Sequence, residues 1–299
     1  MIGNAPLLGL GTATFARGYG IAATPLEPSA AATLLREAME AGVRYLDTAA
    51  DYGDSERIVG ATADLIVAHG VRVCTKIATR AAARPAELEG AVRASLQRLH
   101  LPRLDTLMLH SADCAALGTP TVAGSMEALR AAKLAERVGA STYGVDAARA
   151  ACGAPWCGAV QLEFSILNQS VLRRLAGLTS GVEIVVRSVL CKGLLTDRRV
   201  DAPALTAEIA DTLGALGRVA TEWGGTLPEL AIRFALDTPG IGVVLVGVSS
   251  REELATALRA QTRSPLPQEL YARLVACDRS EAGVTHPERW SAGAMAGAR

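Results

Sequence analysis

Along nearly the whole chain, short β-branched runs alternate with longer runs rich in Ala, Leu, Arg and Glu. This alternation constrains the fold most, because parallel strands need long crossovers and helices are the usual ones. Eight runs read as strands: Leu7–Thr14, Val43–Asp47, Val71–Lys76, Thr106–His110, Arg137–Ser141, Ala159–Leu162, Glu183–Leu190 and Gly242–Gly247. Between and after them the pattern predicts helices at Ser29–Ala41, Ser55–His69, Arg84–Leu99, Thr121–Ala132, Asp146–Cys152, Val171–Ala176, Ala204–Trp223 and Arg251–Ala260. One more helix is expected at Pro267–Cys277. Thr226-Leu227-Pro228-Glu229 and Ser250-Arg251-Glu252-Glu253 read as capping boxes, a hydroxyl reaching forward and a carboxylate reaching back.

No Pro/Gly/Ser-rich linker, charge block or low-complexity tract divides the chain, so residues 1–299 read as one domain. Eight units in series favour a closed (β/α)8 TIM-type barrel of the α/β class over an open doubly wound sheet. Leu8-Gly9-Leu10-Gly11-Thr12 also fails to complete the G-x-G-x-x-G turn that an open nucleotide-binding sheet would carry. With 50% hydrophobic but only 4% aromatic residues, the core must be built from Ala, Leu and Val, which suits strands covered on both faces.

Composition also narrows the partners. The formal net charge is zero and no basic block stands out, so no nucleic acid is expected. Met1–Pro6 has neither a basic nor a sustained apolar character, and no apolar run approaches the roughly 20 residues that cross a bilayer. The expectation is a soluble, cytoplasmic protein with no membrane partner. The six cysteines, Cys74, Cys114, Cys152, Cys157, Cys191 and Cys277, form no CxxC pair and read as buried, reduced thiols. No histidine stands near Cys152 and Cys157, so no metal is expected.

A closed β/α barrel carries its active site at the C-terminal ends of the strands. There the sequence offers Asp47 ending strand two, Lys76 ending strand three and His110 ending strand four, with Tyr52 on the loop after Asp47. Each alone has a plain structural reading; four at one mouth make a chemical set. A phenol gives up its proton near neutrality only if something stabilises the phenolate, and a nearby ammonium does so. Asp47 would keep Lys76 charged, and a neutral His110 would donate to a substrate carbonyl oxygen.

These residues resemble the aldo-keto reductase superfamily. The resemblance runs from Ala41–Ala49 with Tyr52-Gly53, through Leu96–Leu99 and Asp105–Ser111, to Gly139–Gly144, Val160–Phe164, Arg187–Leu190 with Gly193–Leu195, and Val244–Ser250. It implies an oxidoreductase interconverting a carbonyl (aldehyde, ketone or sugar) and an alcohol, with NADP or NAD extended across the mouth. Asp47, Tyr52, Lys76 and His110 would be the catalytic tetrad. Gly11, Thr12 and Asp47 would border the cofactor, and Ser141, Thr142 and Gln161 would hold the carboxamide. Arg187 would pack flat against the nicotinamide ring, and Ser188, Leu190 and Gly193 would follow the diphosphate. Gly247, Ser249, Arg251 and Glu253 would take the adenosine end at a helix N-terminus.

Three positions depart from the family pattern. Thr142 replaces a common asparagine, and Ala257 replaces an asparagine that contacts adenine. Glu253 stands where many NADP-dependent members have an arginine, which favours NAD, while Arg251 remains able to meet a 2′-phosphate. Two rival readings stay open: a Schiff-base lyase acting through Lys76, and a cofactor-binding regulatory barrel without turnover. Substrate selection falls to Phe15–Pro28, Ala112–Pro120 and the residues beyond Ser280, which contain Tyr19, His286 and Trp290 but no arginine cluster. Trp156 and Trp223 are assigned to the outer layer or a connecting loop.

Overall fold

A computed structural model describes residues 5–16, 26–82, 84–197 and 206–282. Tyr19, His286 and Trp290 lie outside the described residues. The strands are β1 (Leu7–Gly11), β2 (Tyr45–Asp47), β3 (Arg72–Ala78), β4 (Leu104–His110), β5 (Ala135–Ser141), β6 (Ala159–Glu163), β7 (Glu183–Arg187) and β8 (Val243–Gly247). Each pairs in parallel with its sequence neighbour, and β8 pairs with β1 in the register Leu7↔Val243 to Gly11↔Gly247. That last pairing closes the barrel and disposes of the open-sheet alternative.

Two layers of apolar packing hold the barrel. Between strands and helices lies the larger core, to which Leu35, Met39, Leu88, Leu99, Leu230 and Phe234 contribute fully buried side chains. Each such side chain contributes about 1.5–3 kcal/mol. Inside the barrel, Tyr45, Cys74, Met108, Ala159, Val185, Val243 and Leu245 form a separate cluster. Gly9 makes room there, since a Cβ on it would stand 2.9 Å from Leu245 and 3.1 Å from Tyr45.

Ions close the N-terminal end. Arg72 donates to Asp105 over 3.0 Å and to both oxygens of Glu183 over 2.8 and 2.6 Å, and Arg137 adds a bond to Glu183 over 3.1 Å. The Arg72 guanidinium lies 5.0 Å from the centre of the Tyr45 ring. With that end plugged, the mouth at the strands' C-terminal ends is where a ligand can enter.

Several boundaries differ from the sequence reading. β1 stops at Gly11, because Thr12 N–H turns to the carbonyl of Asp47 and Ala13–Ala16 forms a short helix. β7 stops at Arg187, because Ser188 takes a left-handed backbone (φ 62°). The span expected as one helix at Ser55–His69 is two, Ser55–Gly60 and Ala63–Ala68. At the break, Gly60 lies so close to the helix Pro85–Leu99 that a Cβ would come within 2.2 Å of the Arg98 carbonyl. The capping box at Thr226 forms in full and opens the helix Leu227–Asp237.

Trp156 is buried between the helix Gly144–Gly153 and β6, and Trp223 ends the helix Ala207–Glu222 with Arg263 over its ring. All six cysteines are free thiols; Cys74, Cys157 and Cys191 are buried as expected, whereas Cys114 is exposed and Cys152 and Cys277 are half-buried. Among the described residues, no helix is long and apolar enough to cross a membrane, and no His/Cys/Asp/Glu group of three or more is arranged to hold a metal.

Candidate active site

β2, β3, β5 and β6 deliver one connected hydrogen-bond chain to the mouth. Lys76 Nζ donates to Asp47 Oδ1 over 2.6 Å and to the Thr48 carbonyl over 2.8 Å. Gln161 Nε2 donates to the other Asp47 oxygen over 2.8 Å, and Ser141 Oγ donates to Gln161 Oε1 over 3.1 Å. All four side chains are buried. Behind Asp47 the Ser55 hydroxyl lies 2.6 Å from that of Thr12 and 3.0 Å from that of Thr48, while Thr12 also donates to the Asp47 carbonyl. These hydroxyls fix the backbone of the Asp47–Thr48 corner.

Burial, the largest single influence, works to strip the proton from Lys76, but the Asp47 charge and hydrogen bond, together with Tyr52 and Cys74, raise the lysine pKa on balance. Lys76 is therefore an ammonium ion. A Schiff-base nucleophile must be a neutral amine, so this geometry removes the ground for the lyase reading.

Tyr52 and His110 sit on the solvent side of that pair. The ammonium nitrogen is 5.1 Å from the centre of the Tyr52 ring, and the Tyr52 and His110 rings meet edge-on at 5.5 Å. Lys76 pulls the Tyr52 pKa down, as its chemistry suggests, but burial raises it by more, so the net direction is upward. In the free protein Tyr52 is a protonated phenol. Burial, and next the Lys76 charge, hold the His110 pKa below the ordinary imidazole value, against the opposing pull of Asp51 and Asp47. Asp51 Oδ1 lies 3.1 Å from His110 Nδ1.

On the far rim, Arg187 lays its guanidinium 4.0 Å from the centre of the Tyr143 ring and donates to the Thr142 carbonyl over 2.6 Å. Glu163 stands 3.6 Å from Arg187 and accepts from Gly144 N–H over 3.0 Å. Beyond Arg187 a cavity of about 420 Å³ opens between the ends of β7 and β8. Ser188, Leu190, Gly193, Gly247, Ser249 and Glu253 line it, together with Lys192, Glu252 and Thr256. Ser188, Cys191 and Lys192 all have positive φ, the kind of strained backbone that clusters at ligand sites. At Gly11, on the other side of the mouth, an added Cβ would meet nothing within 4 Å.

The structure thus brings most of the residues singled out from sequence to the C-terminal mouth of the barrel and the cavity beside it. It sets three apart. The Thr12 and Thr142 hydroxyls are spent on the backbone, donating to the carbonyls of Asp47 and Gln161. Arg251 points away to Glu37, donating from Nε to both of its oxygens over 3.0 and 2.8 Å, and does not line the cavity. The capping box expected at Ser250 is only half formed. Ser250 Oγ accepts from Glu253 N–H, but the Glu253 carboxylate turns to Ser249, accepting from its N–H over 2.7 Å and its hydroxyl over 2.9 Å.

Asp51, Tyr143, Glu163 and Lys192 were not singled out. Asp51 and Glu163 did leave a signal, each a carboxylate beside a tetrad or strand-end residue where solvation alone would not require one.

The comparisons agree with this geometry. The model of the Aldo/keto reductase family matches residues 7–279. The Bacillus subtilis oxidoreductase YqkF is 25% identical over 277 residues, covering 84% of this chain and 89% of that protein. An aldo-keto reductase of Mycolicibacterium smegmatis is 26% identical over 239 residues, covering 78% of this chain and 77% of that protein. The holo form of aldo-keto reductase AKR11C1 from Bacillus halodurans shares the fold, with a TM-score of 0.77 and 21% identity over 91% of this chain and 92% of that one. The chain belongs to the aldo/keto reductase family. It is a barrel oxidoreductase of the carbonyl/alcohol class.

Proposed function

We propose that this protein interconverts a small carbonyl compound and its alcohol by hydride transfer with a nicotinamide cofactor, Tyr52 giving and taking back the proton. The carrying observation is the buried Lys76 ammonium, held 2.6 Å from Asp47 and 5.1 Å from the Tyr52 ring centre. When bound, NAD or NADP supplies or accepts the hydride.

The protein's own residues do the rest. Tyr52 is protonated in the resting site and stands ready to protonate a carbonyl oxygen as charge grows on it. Its phenolate, once formed, faces the Lys76 ammonium. Asp47 keeps that ammonium charged and aimed, and Gln161 keeps Asp47 in place. Such a proton donor contributes roughly 10²–10⁴-fold to the rate.

The residues suit a dinucleotide lying from the mouth into the cavity. Ser141 and Gln161 would hold the carboxamide, Arg187 would face the nicotinamide ring, and Ser188, Leu190 and Gly193 would follow the diphosphate. Gly11 borders that path, and Gly247, Ser249 and Glu253 would meet the adenosine end. Glu252 and Glu253 line that end while Arg251 is tied to Glu37, which favours NAD, since a carboxylate repels a 2′-phosphate.

The test is a carbonyl panel read through loss of reduced-nicotinamide absorbance, with NADH and NADPH in parallel. Steady oxidation of the cofactor dependent on an aldehyde or ketone supports the reading. Tight cofactor binding without turnover across the panel would return the regulatory barrel.

A further inference from the structure

Arg187 carries a positive charge over the barrel mouth. Side chains alternate along β7, Val185 lying in the cluster inside the barrel and Val186 in the outer core, so Arg187 points inward above Val185. In the register of β6 and β7 its partner is Glu163. At Ser188 the backbone turns left-handed and the cavity begins, so a ligand reaching from the cavity toward Tyr52 passes the guanidinium. The charge is close enough to act on Tyr52.

The mouth holds two ion pairs, and they are closed to different degrees. Lys76 meets Asp47 at 2.6 Å in a direct hydrogen bond. Arg187 Nη2 lies 3.6 Å from Glu163 Oε2, beyond hydrogen-bond length, and that buried oxygen has no hydrogen-bond partner. The other Glu163 oxygen accepts from Gly144 N–H over 3.0 Å. Glu163 therefore offsets its cation less than Asp47 offsets Lys76. The guanidinium is nonetheless fixed, since Nη2 donates to the Thr142 carbonyl over 2.6 Å and the Tyr143 ring centre lies 4.0 Å from its carbon. A guanidinium does not give up its proton, so this charge is permanent.

The two forms of a nicotinamide ring differ by one charge. The oxidised ring is a cation and the reduced ring is neutral, so a fixed cation beside the ring repels the first and packs against the second without that cost. We propose that Arg187 selects the redox state of the cofactor: the protein takes up the reduced dinucleotide in preference to the oxidised one and lets the oxidised one go. Glu163 sets the strength of that selection by offsetting part of the charge. The inference rests on the nicotinamide reading above and adds a direction, since a protein with this preference loads as a reductase even where oxidised cofactor is in excess. Hydride transfer on the protein gives the factor back, so the selection shows in loading and release and leaves the overall equilibrium unchanged.

Isothermal titration calorimetry tests it without turnover, using oxidised and reduced NAD and the NADP pair on the wild-type protein and its variants. The quantity read is the Kd of the oxidised form divided by that of the reduced form. It should be about tenfold or more in the wild type, the size of one like-charge contact partly offset by Glu163. Arg187→Gln should bring it close to one. Arg187→Tyr, which keeps a flat face and removes the charge, should do the same, so that packing alone is separated from charge. Glu163→Gln removes the offsetting carboxylate and should raise the ratio above the wild-type value. Equal binding of the two forms by wild type overturns the proposal, and so does a ratio that Arg187→Tyr leaves unchanged or that Glu163→Gln lowers. Binding of neither form would sink the nicotinamide reading and this proposal with it, whereas equal binding sinks this proposal alone.

Discussion

Gln161 reaches across the barrel from β6 and donates to Asp47 Oδ2 on β2 over 2.8 Å, a bond between residues 114 positions apart in the chain. It occupies the one Asp47 oxygen that Lys76 does not. Gln161 therefore joins two roles, holding the carboxylate that keeps Lys76 charged and flanking Ser141.

Replacing Gln161 by Leu leaves a buried carboxylate oxygen without its donor, at a cost of about 1–3 kcal/mol. The expected result is a fall in kcat/KM of about tenfold or more, with weaker cofactor binding in fluorescence titrations. Because both quantities should move together, a loss confined to stability would separate a structural role from a functional one.

Asp47→Asn should be harsher. It leaves the buried Lys76 ammonium without a counter-charge, and breaking such a pair costs about 3–5 kcal/mol. Thermal unfolding should show a lower Tm, and turnover should fall further than in Gln161→Leu.

The pH profile follows from two shifted groups. Reduction needs protonated Tyr52, whose pKa is raised by burial, so the alkaline limb of kcat/KM should fall above about 10, the ordinary phenol value. Lys76→Met removes the charge that opposes that rise, and should move the limb higher still. The acid limb reports protonation of His110, whose pKa burial lowers, so it should lie below about 6.5.

Cofactor choice is testable at the end of the cavity. Glu253→Gln keeps the contacts to Ser249 in shape but removes a charge. NADPH binding should tighten relative to NADH by about tenfold, as expected for removing one repulsive contact of about 1.4 kcal/mol.

How much of this was legible in the sequence depends on range. The eight strands could be read because each is a short run rich in β-branched or apolar residues between longer helical stretches, and Asp47, Lys76 and His110 because a charged or polar residue at the end of such a run stands out. The relationships could not be read. Arg72 and Glu183 lie 111 positions apart, and nothing local to either announces the other. Periodicity shows helix through Ser55–His69, yet the break is set by the Gly60 backbone meeting Arg98 on another helix. Asp51 is visible beside Tyr52, but its place 3.1 Å from His110 comes from the pairing of β2, β3 and β4, which no local pattern shows. The half-formed cap at Ser250 fails because Glu253 has a second acceptable partner in Ser249, one residue earlier.

The central claim is that Tyr52 transfers the proton, and Tyr52→Phe tests it most directly. With a good substrate and saturating cofactor, kcat should fall by roughly 10²–10⁴-fold while the cofactor Kd stays at the wild-type value. A purified, folded Tyr52→Phe protein that kept wild-type kcat would contradict the account.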